Sequence, residues 1–297
     1  MRLSKKSRMR FKKMSSVYFI LKDAVVDSAN ASTSYLTNAF PLSSILGMGE
    51  AFCFQLSHNE SLESDMESSH VEAFAIIKDY QLNEGKKAFP AFHKEAGAAH
   101  KSTTPSEIML SENTCNFKAT LVFKLDFERG ADIEDELEPL WLNFLMRCRV
   151  AGGKLTNLKD LKNNASVVED EDDLETELKA EKGWVVSDES ELFDSLTQEH
   201  GVKEAIRQFV FTHIENDKEL GKVYRRKQKG FYYLDLKGYQ LLEEPIKRKG
   251  SRFDKPHAFA EPVITGRKLN YFRLPDTQGL FWRWQNNGNA IELVKAS

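Results

Sequence analysis

Cysteine is scarce in this chain of 297 residues: Cys53, Cys115 and Cys148 stand far apart and are odd in number, which excludes a disulfide framework and a paired cysteine metal motif. Such usage fits a reducing cytoplasm. Long apolar runs are missing as well. None approaches the roughly 20 residues that span a bilayer, so a soluble protein is expected. Net charge is only −3 at pH 7, and no global positive field draws in a polyanion. Any contact with nucleic acid has to rest on local charge.

The signatures of catalysis are equally sparse. The seven histidines are scattered, and none pairs closely with another histidine or a cysteine. His257 and Glu261 are four apart and share a face if their segment is a strand, but hydrogen bonding explains them more simply, and neither a metal nor another cofactor is expected. There is no G-x-S-x-G, no catalytic-type cysteine signature and no Walker glycine loop. Gly47 and Gly49 faintly echo a glycine loop, yet helix packing against a sheet accounts for them. Glu134, Asp135 and Glu136 are consecutive, so on a helix they do not converge on one reacting atom.

What is present reads as an α+β chain. Val17–Val26, rich in β-branched and aromatic residues, predicts a strand. From Pro41, the positions Leu42, Ile45, Leu46, Gly49, Phe52 and Leu56 recur at helical spacing and predict a helix with one buried face. A polar linker, Ser57–His70, leads to two further strands, Val71–Tyr80 and Asn116–Glu128, separated by a long loop over Asn83–Ser106. Ile133–Arg149 reads as a second helix, with Arg147 and Arg149 at its end. The order strand, helix, strand, strand, helix opens a split βαβ, ferredoxin-like layout. Val202–Ile214 predicts a helix, and the alternation in Phe231–Leu242, His257–Thr265 and Leu280–Gln285 predicts a β-rich C-terminal part. Residues 1–15 are expected to form a basic arm, read as disordered and touching phosphates, as a solvated leader, or as a stretch upstream of a start at Met14. Residues 16–297 make one elaborated domain with insertions near 83–106 and 157–199.

Charge segregates along the chain. Asn157–Glu199 is acidic around Glu169–Asp173 and is expected to be a solvated or disordered insertion facing away from RNA. Lys218–Lys255 is basic, including Arg225, Arg226, Lys227, Arg248 and Arg252. Interleaved with Tyr224, Phe231, Tyr232 and Tyr233, these residues have the composition to neutralise phosphates and stack bases. A charged loop leading into a core strand accounts for them equally well.

The stretch Ala29–Phe52 carries a more specific signal. Asn30, Ala31, Ser34, Leu36, Thr37, Phe40, Pro41, Leu46 and Gly47 fall in a pattern that resembles the start of the second-subunit family of the type I-F CRISPR (Csy) surveillance complex, the five-type backbone subunit of Cascade. Asn38-Ala39 and Gly49-Glu50 depart from it. Arg149–Leu155, Gly183–Ser187, Gly238–Leu242 and Pro256–Pro262 look like later blocks of the same family, in order, so the resemblance covers most of residues 16–265.

The resemblance implies a RAMP-type protein on an RRM-like ferredoxin core. Such a protein binds the 5′ handle of the CRISPR RNA, caps the backbone, and contacts the large subunit and the adjacent backbone subunit, meeting target DNA through the assembled complex without catalysing anything. The RNA-binding residues it points to are Asn30, Ala31, Ser32, Ser34 and Thr37 in a small-residue loop before a helix N-terminus, and Arg149 with Gly152 and Gly153. Arg225, Arg226, Lys227, Arg248, Arg252, His257 and Phe259 follow in second rank. Two other readings stand beside it. One is a RAMP endoribonuclease using His93 or His100 as a general acid or base, and the other is a protein-only structural or decoy subunit.

Overall fold

The structure, a computed structural model, describes residues 15–33, 36–37, 40–59, 62, 70–83, 114–127, 134–210, 213–217, 221–225, 231–250, 255–274 and 277–296. In chain order the first half gives β1 (Ser15–Asn30), β2 (Ser32–Thr33), β3 (Leu36–Thr37), α1 (Leu42–Ser57), β4 (Val71–Leu82), β5 (Thr114–Phe127), α2 (Glu134–Leu145), β6 (Lys154–Leu155), α3 (Leu161–Asn164) and β7 (Ala165–Val168). Strands β4, β5, β1 and β7 lie side by side in that order, each antiparallel to its neighbour. This is the strand order of a split βαβ unit. The α+β class read from the sequence is therefore present.

Helices α1 and α2 cover one face of this sheet. The face of α1 that the periodicity picked out is buried, with Met48 added to it. Gly49 is required there, because a Cβ would sit 2.7 Å from both the Phe123 ring and the Val71 side chain, so the helix lies close against β4 and β5. From α2, Trp141 packs edge-on against Phe19 and Phe123 at ring separations of 5.7 and 5.6 Å, and its indole N–H donates to the Ile20 carbonyl at 3.2 Å. Helix α2 stops at Leu145, so Arg147 and Arg149 lie beyond its last turn rather than in it.

The opposite face of the sheet is also covered. The acidic segment expected to be a solvated insertion is instead built against it. Asp170 caps α4 (Glu171–Leu178) by accepting from the Asp173 amide at 2.8 Å, and the acids crowd the first turn, where they complement the helix dipole. Leu174 and Leu178 point the other way and bury against Tyr18, Ile20, Phe74, Ile76 and Val122. At the end of α4, Glu177 pairs with Lys22 and Glu181 with Lys78 at 2.6 Å. An acid run reads as solvated when its interspersed leucines are not counted as a helical face.

The second half adds β8 (Trp184–Asp188), α5 (Ser190–His200), α6 (Val202–Val210), β9 (His213–Asp217), β10 (Gly221–Arg225), β11 (Phe231–Leu241), β12 (Ala260–Tyr271), β13 (Trp282–Asn286) and β14 (Ala290–Lys295). The helix expected to reach Ile214 ends at Val210. The sheet continues β4-β8-β12-β11-β14-β13, and a pairing of Trp282 in β13 with Ala73 in β4 closes these six strands into a ring. Helices α5 and α6 pack outside it, with Phe209 pressed so close to Gly266 that a Cβ would come within 2.3 Å of its ring.

Inside the ring lies Arg267, 1% exposed. Its guanidinium pairs with Asp188 of β8, donates to the Leu293 carbonyl of β14 at 3.2 Å, and stands over the Trp282 ring of β13 at 4.5 Å. Nearby Asp235, also buried, is not part of that pair. Burial pushes its carboxyl up to about 6, against the opposing pull of the Leu236 amide and Arg267.

Truncating Arg267 removes its contacts with Asp188, Leu293 and Trp282 and leaves a hollow between four strands, while exposed Asp188 keeps the Ser190 amide and hydroxyl as donors. Arg267→Ala is expected to cost on the order of 2–5 kcal/mol of stability in urea denaturation, from the lost packing and the cavity left behind. Asp235 acts in the opposite sense. Its folded carboxyl holds a proton more tightly than the unfolded one, so its contribution falls as pH rises from about 4 to about 6 and stays low above that. Asp235→Asn should therefore gain stability relative to wild type at pH 7 compared with pH 4, by on the order of 1–3 kcal/mol, read from paired urea curves.

Candidate nucleic-acid interface

Strand β1 is 16 residues long and is bulged twice. Its register against β5 slips between Leu21 and Ala24 and again between Val26 and Ala29, at Asp23 and Ser28, both with positive φ. The Asn157 side chain bridges the first bulge, accepting from the Val25 amide at 3.1 Å and donating to the Asp23 carbonyl at 2.9 Å. Asn116 accepts from the Ser28 amide at 2.9 Å at the second. Bulges increase local twist and re-aim the strand beyond them, and here β1 ends against the turn that follows α2.

That turn is a two-residue hairpin. Val150 and Gly153 exchange backbone hydrogen bonds at 3.2 and 2.8 Å, with Ala151 at φ 50° and Gly152 at φ 77° between them. Gly152 suits the left-handed backbone. Gly153 answers a different need, since a Cβ there would lie 2.7 Å from the Ala29 nitrogen and 2.8 Å from the Asp27 carbonyl oxygen. The Asn30 amide then donates to the Ala151 carbonyl at 2.8 Å. Arg149 is exposed and folds over the turn, its Nη1 donating to the Gly152 carbonyl at 3.1 Å. Two segments about 120 positions apart in the chain are thus held together by backbone contact.

From Ala29 the chain runs through a small hairpin, with Ser32 paired to Thr37 and Thr33 to Leu36. Ala29 and Ala31 are buried and Asn30 between them is exposed. The hairpin ends at Phe40, whose ring packs on Phe117 and Tyr80 at 5.3 and 6.4 Å. Pro41 leads directly into α1, whose first turn holds no acidic residue. The fold therefore gathers Asn30, Ala31, Ser32, Thr37, Arg149, Gly152 and Gly153 around one rim. Asn30, Arg149 and Gly152 are exposed there, while Ala29, Ala31, Ala151 and Gly153 are buried, and a helix start free of acids favours an anion.

The second-rank residues are placed elsewhere. Arg225 ends β10, paired with His213 of β9 in a separate hairpin, while Ser34, Arg226, Lys227 and Arg252, like His93 and His100, lie outside the described residues. Arg248, His257 and Phe259 form their own cluster. Arg248 donates to the His257 carbonyl at 2.5 Å, pairs with Glu243, and stands over the Phe259 ring at 4.7 Å. The Phe259 amide and then Arg248 hold the Glu243 carboxyl below its ordinary value. This cluster sits at the Leu241–Ala260 end of the β11–β12 ladder, about 30 Å from the Phe231 end at the usual rise per residue.

Beside the rim lies a feature that motif reading missed. A cavity of about 370 Å³ opens where the ring of strands meets the first sheet, walled by Phe40, Tyr80, Phe231, Tyr232 and Tyr233 with Ile77 and Leu269. The run Phe231-Tyr232-Tyr233 was visible in the sequence, but Tyr80 and Phe40 join it only through the fold. Among the described residues the Tyr233 hydroxyl is buried without a hydrogen-bond partner, and the Tyr80 hydroxyl is buried beside the Cys115 thiol, with which it interacts. Burial raises both phenols, aided by Cys115 beside Tyr80 and by Asp235 near Tyr233, so both keep their protons.

Compared with known proteins, the chain matches a model of the family described as CRISPR-associated protein (Cas_Csy2) over residues 19–292. The match runs from β1 into β14 and takes in the rim, the turn and the cavity. No curated protein matches the chain.

The two turn glycines should separate in a denaturation experiment. Gly152→Ala meets no atom within 4 Å and is expected to cost about 1–2 kcal/mol from its left-handed backbone alone. Gly153→Ala must push the end of β1 away and should cost more. Equal urea midpoints for the two variants would contradict the close approach.

Proposed function

The chain belongs to the Cas_Csy2 family of CRISPR-associated proteins and is a subunit of a CRISPR Csy complex, and from that premise we propose that it is a non-catalytic RNA-binding subunit, holding the 5′ handle of the guide RNA and capping the type I-F backbone. The observation that carries the reading is the backbone contact between the Asn30 loop and the Ala151 turn. It brings exposed Asn30 and exposed Arg149 to one rim. Phosphate oxygens can be met there by amides, hydroxyls and one guanidinium without a large positive field. The acids of α4 lie across the sheet from α1, while exposed Asp27, beside the rim, stands opposite Lys154 in the β1–β6 pairing.

In this role the guide reads target DNA by base pairing, while the subunit fixes the RNA end by shape and backbone contact. The same reading places the large subunit and the neighbouring backbone subunit as its protein partners, in the cytoplasm. Among the described residues no helix is long and apolar enough to cross a membrane.

Filter binding of a handle RNA tests the reading. The double variant Asn30→Ala with Arg149→Ala, which keeps the Asn30 backbone amide in place, should weaken binding about tenfold or more at physiological salt. Arg149→Ala alone should lower the slope of log affinity against log salt by about 0.7. Unchanged affinity sinks the site. Metal-independent cleavage of repeat RNA by the wild-type chain, lost in His100→Ala, overturns the non-catalytic assignment.

A further inference from the structure

We propose that Asn116 of β5 is a positioning residue for the RNA rim: it fixes the second bulge of β1, and that bulge decides whether Asn30 faces the RNA or the core. The inference rests on the RNA reading above and names a residue outside the rim on which that reading depends.

The alternation along β1 shows what the bulge does. Val17, Phe19 and Leu21 bury in the core beneath α1 and α2, followed by Ala24 and Val26 and then by Ala29 and Ala31. Within each run the step is two residues, as a strand requires. Between the runs it is three, at the two places where the register against β5 slips. Each bulge adds one residue to β1 and moves every later side chain to the other face. At the second, Val26 faces Phe117 and Ala29 faces Cys115, so Asp27 and Ser28 together stand opposite Asn116 alone. A strand crossing this point in regular steps would bury Ser28 and Asn30 and turn Ala29 and Ala31 to solvent. Asn30 is exposed, and Ala29 and Ala31 are buried, because the extra residue is there.

The bulge needs a clamp. Ser28 has φ 56°, a left-handed backbone that disfavours any residue with a Cβ. Asn116 supplies the compensating bond, its Oδ1 accepting from the Ser28 amide at 2.9 Å. The same oxygen accepts from Asn83 Nδ2 at 3.0 Å, and that nitrogen also donates to Thr114 Oγ1 at 3.0 Å. Asn83 therefore holds the Asn116 side chain aimed at Ser28 from the far side. Asn116 acts on the rim only through the backbone two residues before Asn30.

A double-mutant cycle on the full chain, read by filter binding of handle RNA at physiological salt, tests the assignment. Asn116→Ala should weaken binding about tenfold. The same change should weaken the Asn30→Ala variant far less, since the side chain it misplaces is already gone, whereas general damage to the fold would weaken both alike. Ser28→Gly, which adopts a left-handed backbone freely, should restore much of the affinity lost in Asn116→Ala. If Asn116→Ala does not fold, Asn83→Ala, which frees the Asn116 side chain without removing it, should give the same pattern with a smaller loss. Wild-type affinity in these variants, equal losses with and without the Asn30 side chain, or no recovery with Ser28→Gly overturns the inference and leaves the rim standing. A wild-type chain that binds no handle RNA overturns both.

Discussion

The guanidinium of Arg267, sealed between strands that the chain supplies from four separate stretches, takes its charge balance from β8, a further hydrogen bond from β14 and its stacking surface from β13. A buried cation with these three partners cannot be displaced without losing all of them at once, so the strands are held in one register. That register brings β13 back to β4 at Ala73 and closes the ring. Because β4 also belongs to the first sheet, the closure fixes both halves as neighbours, and the cavity at their junction inherits its shape from a contact made deep inside.

The rim depends on a different constraint. A regular β1 would run on in register with β5. Two bulges, each held by an asparagine side chain from a distant element, bring its end to the turn after α2 instead, and Gly153 lets the two backbones touch. No single element in this arrangement is unusual. What the fold contributes is the meeting of two short irregular segments, each too small to hold its shape alone.

Much of the architecture could be read from the residues in advance. The helical spacing of Leu42 to Leu56 identified the buried face of α1, and the β-branched stretches located β1, β4 and β5. Asn30 and Arg149 were recognised through the family pattern, but their proximity was not legible, since nothing local in either segment specifies the other. The acidic stretch misled because net charge outweighed the spacing of Leu174 and Leu178, which is a sound helical face. Arg248, Phe259 and His257, second-rank candidates in the sequence, come together in the folded chain, where the arginine also pairs with Glu243. The cavity escaped notice because its walls come from Phe40, Tyr80 and the Phe231 region, segments that no local period connects.

Helix α4 lies across the face of the first sheet that α1 and α2 leave uncovered. With both faces occupied by described helices, a ligand of that sheet would have to meet its margins. Margins are made of turns and strand ends, which tolerate insertions and exchanges that a packed sheet surface does not. The framework can then stay constant while the rim is rewritten residue by residue, so two chains of this architecture can differ in what they grip without differing in how they fold.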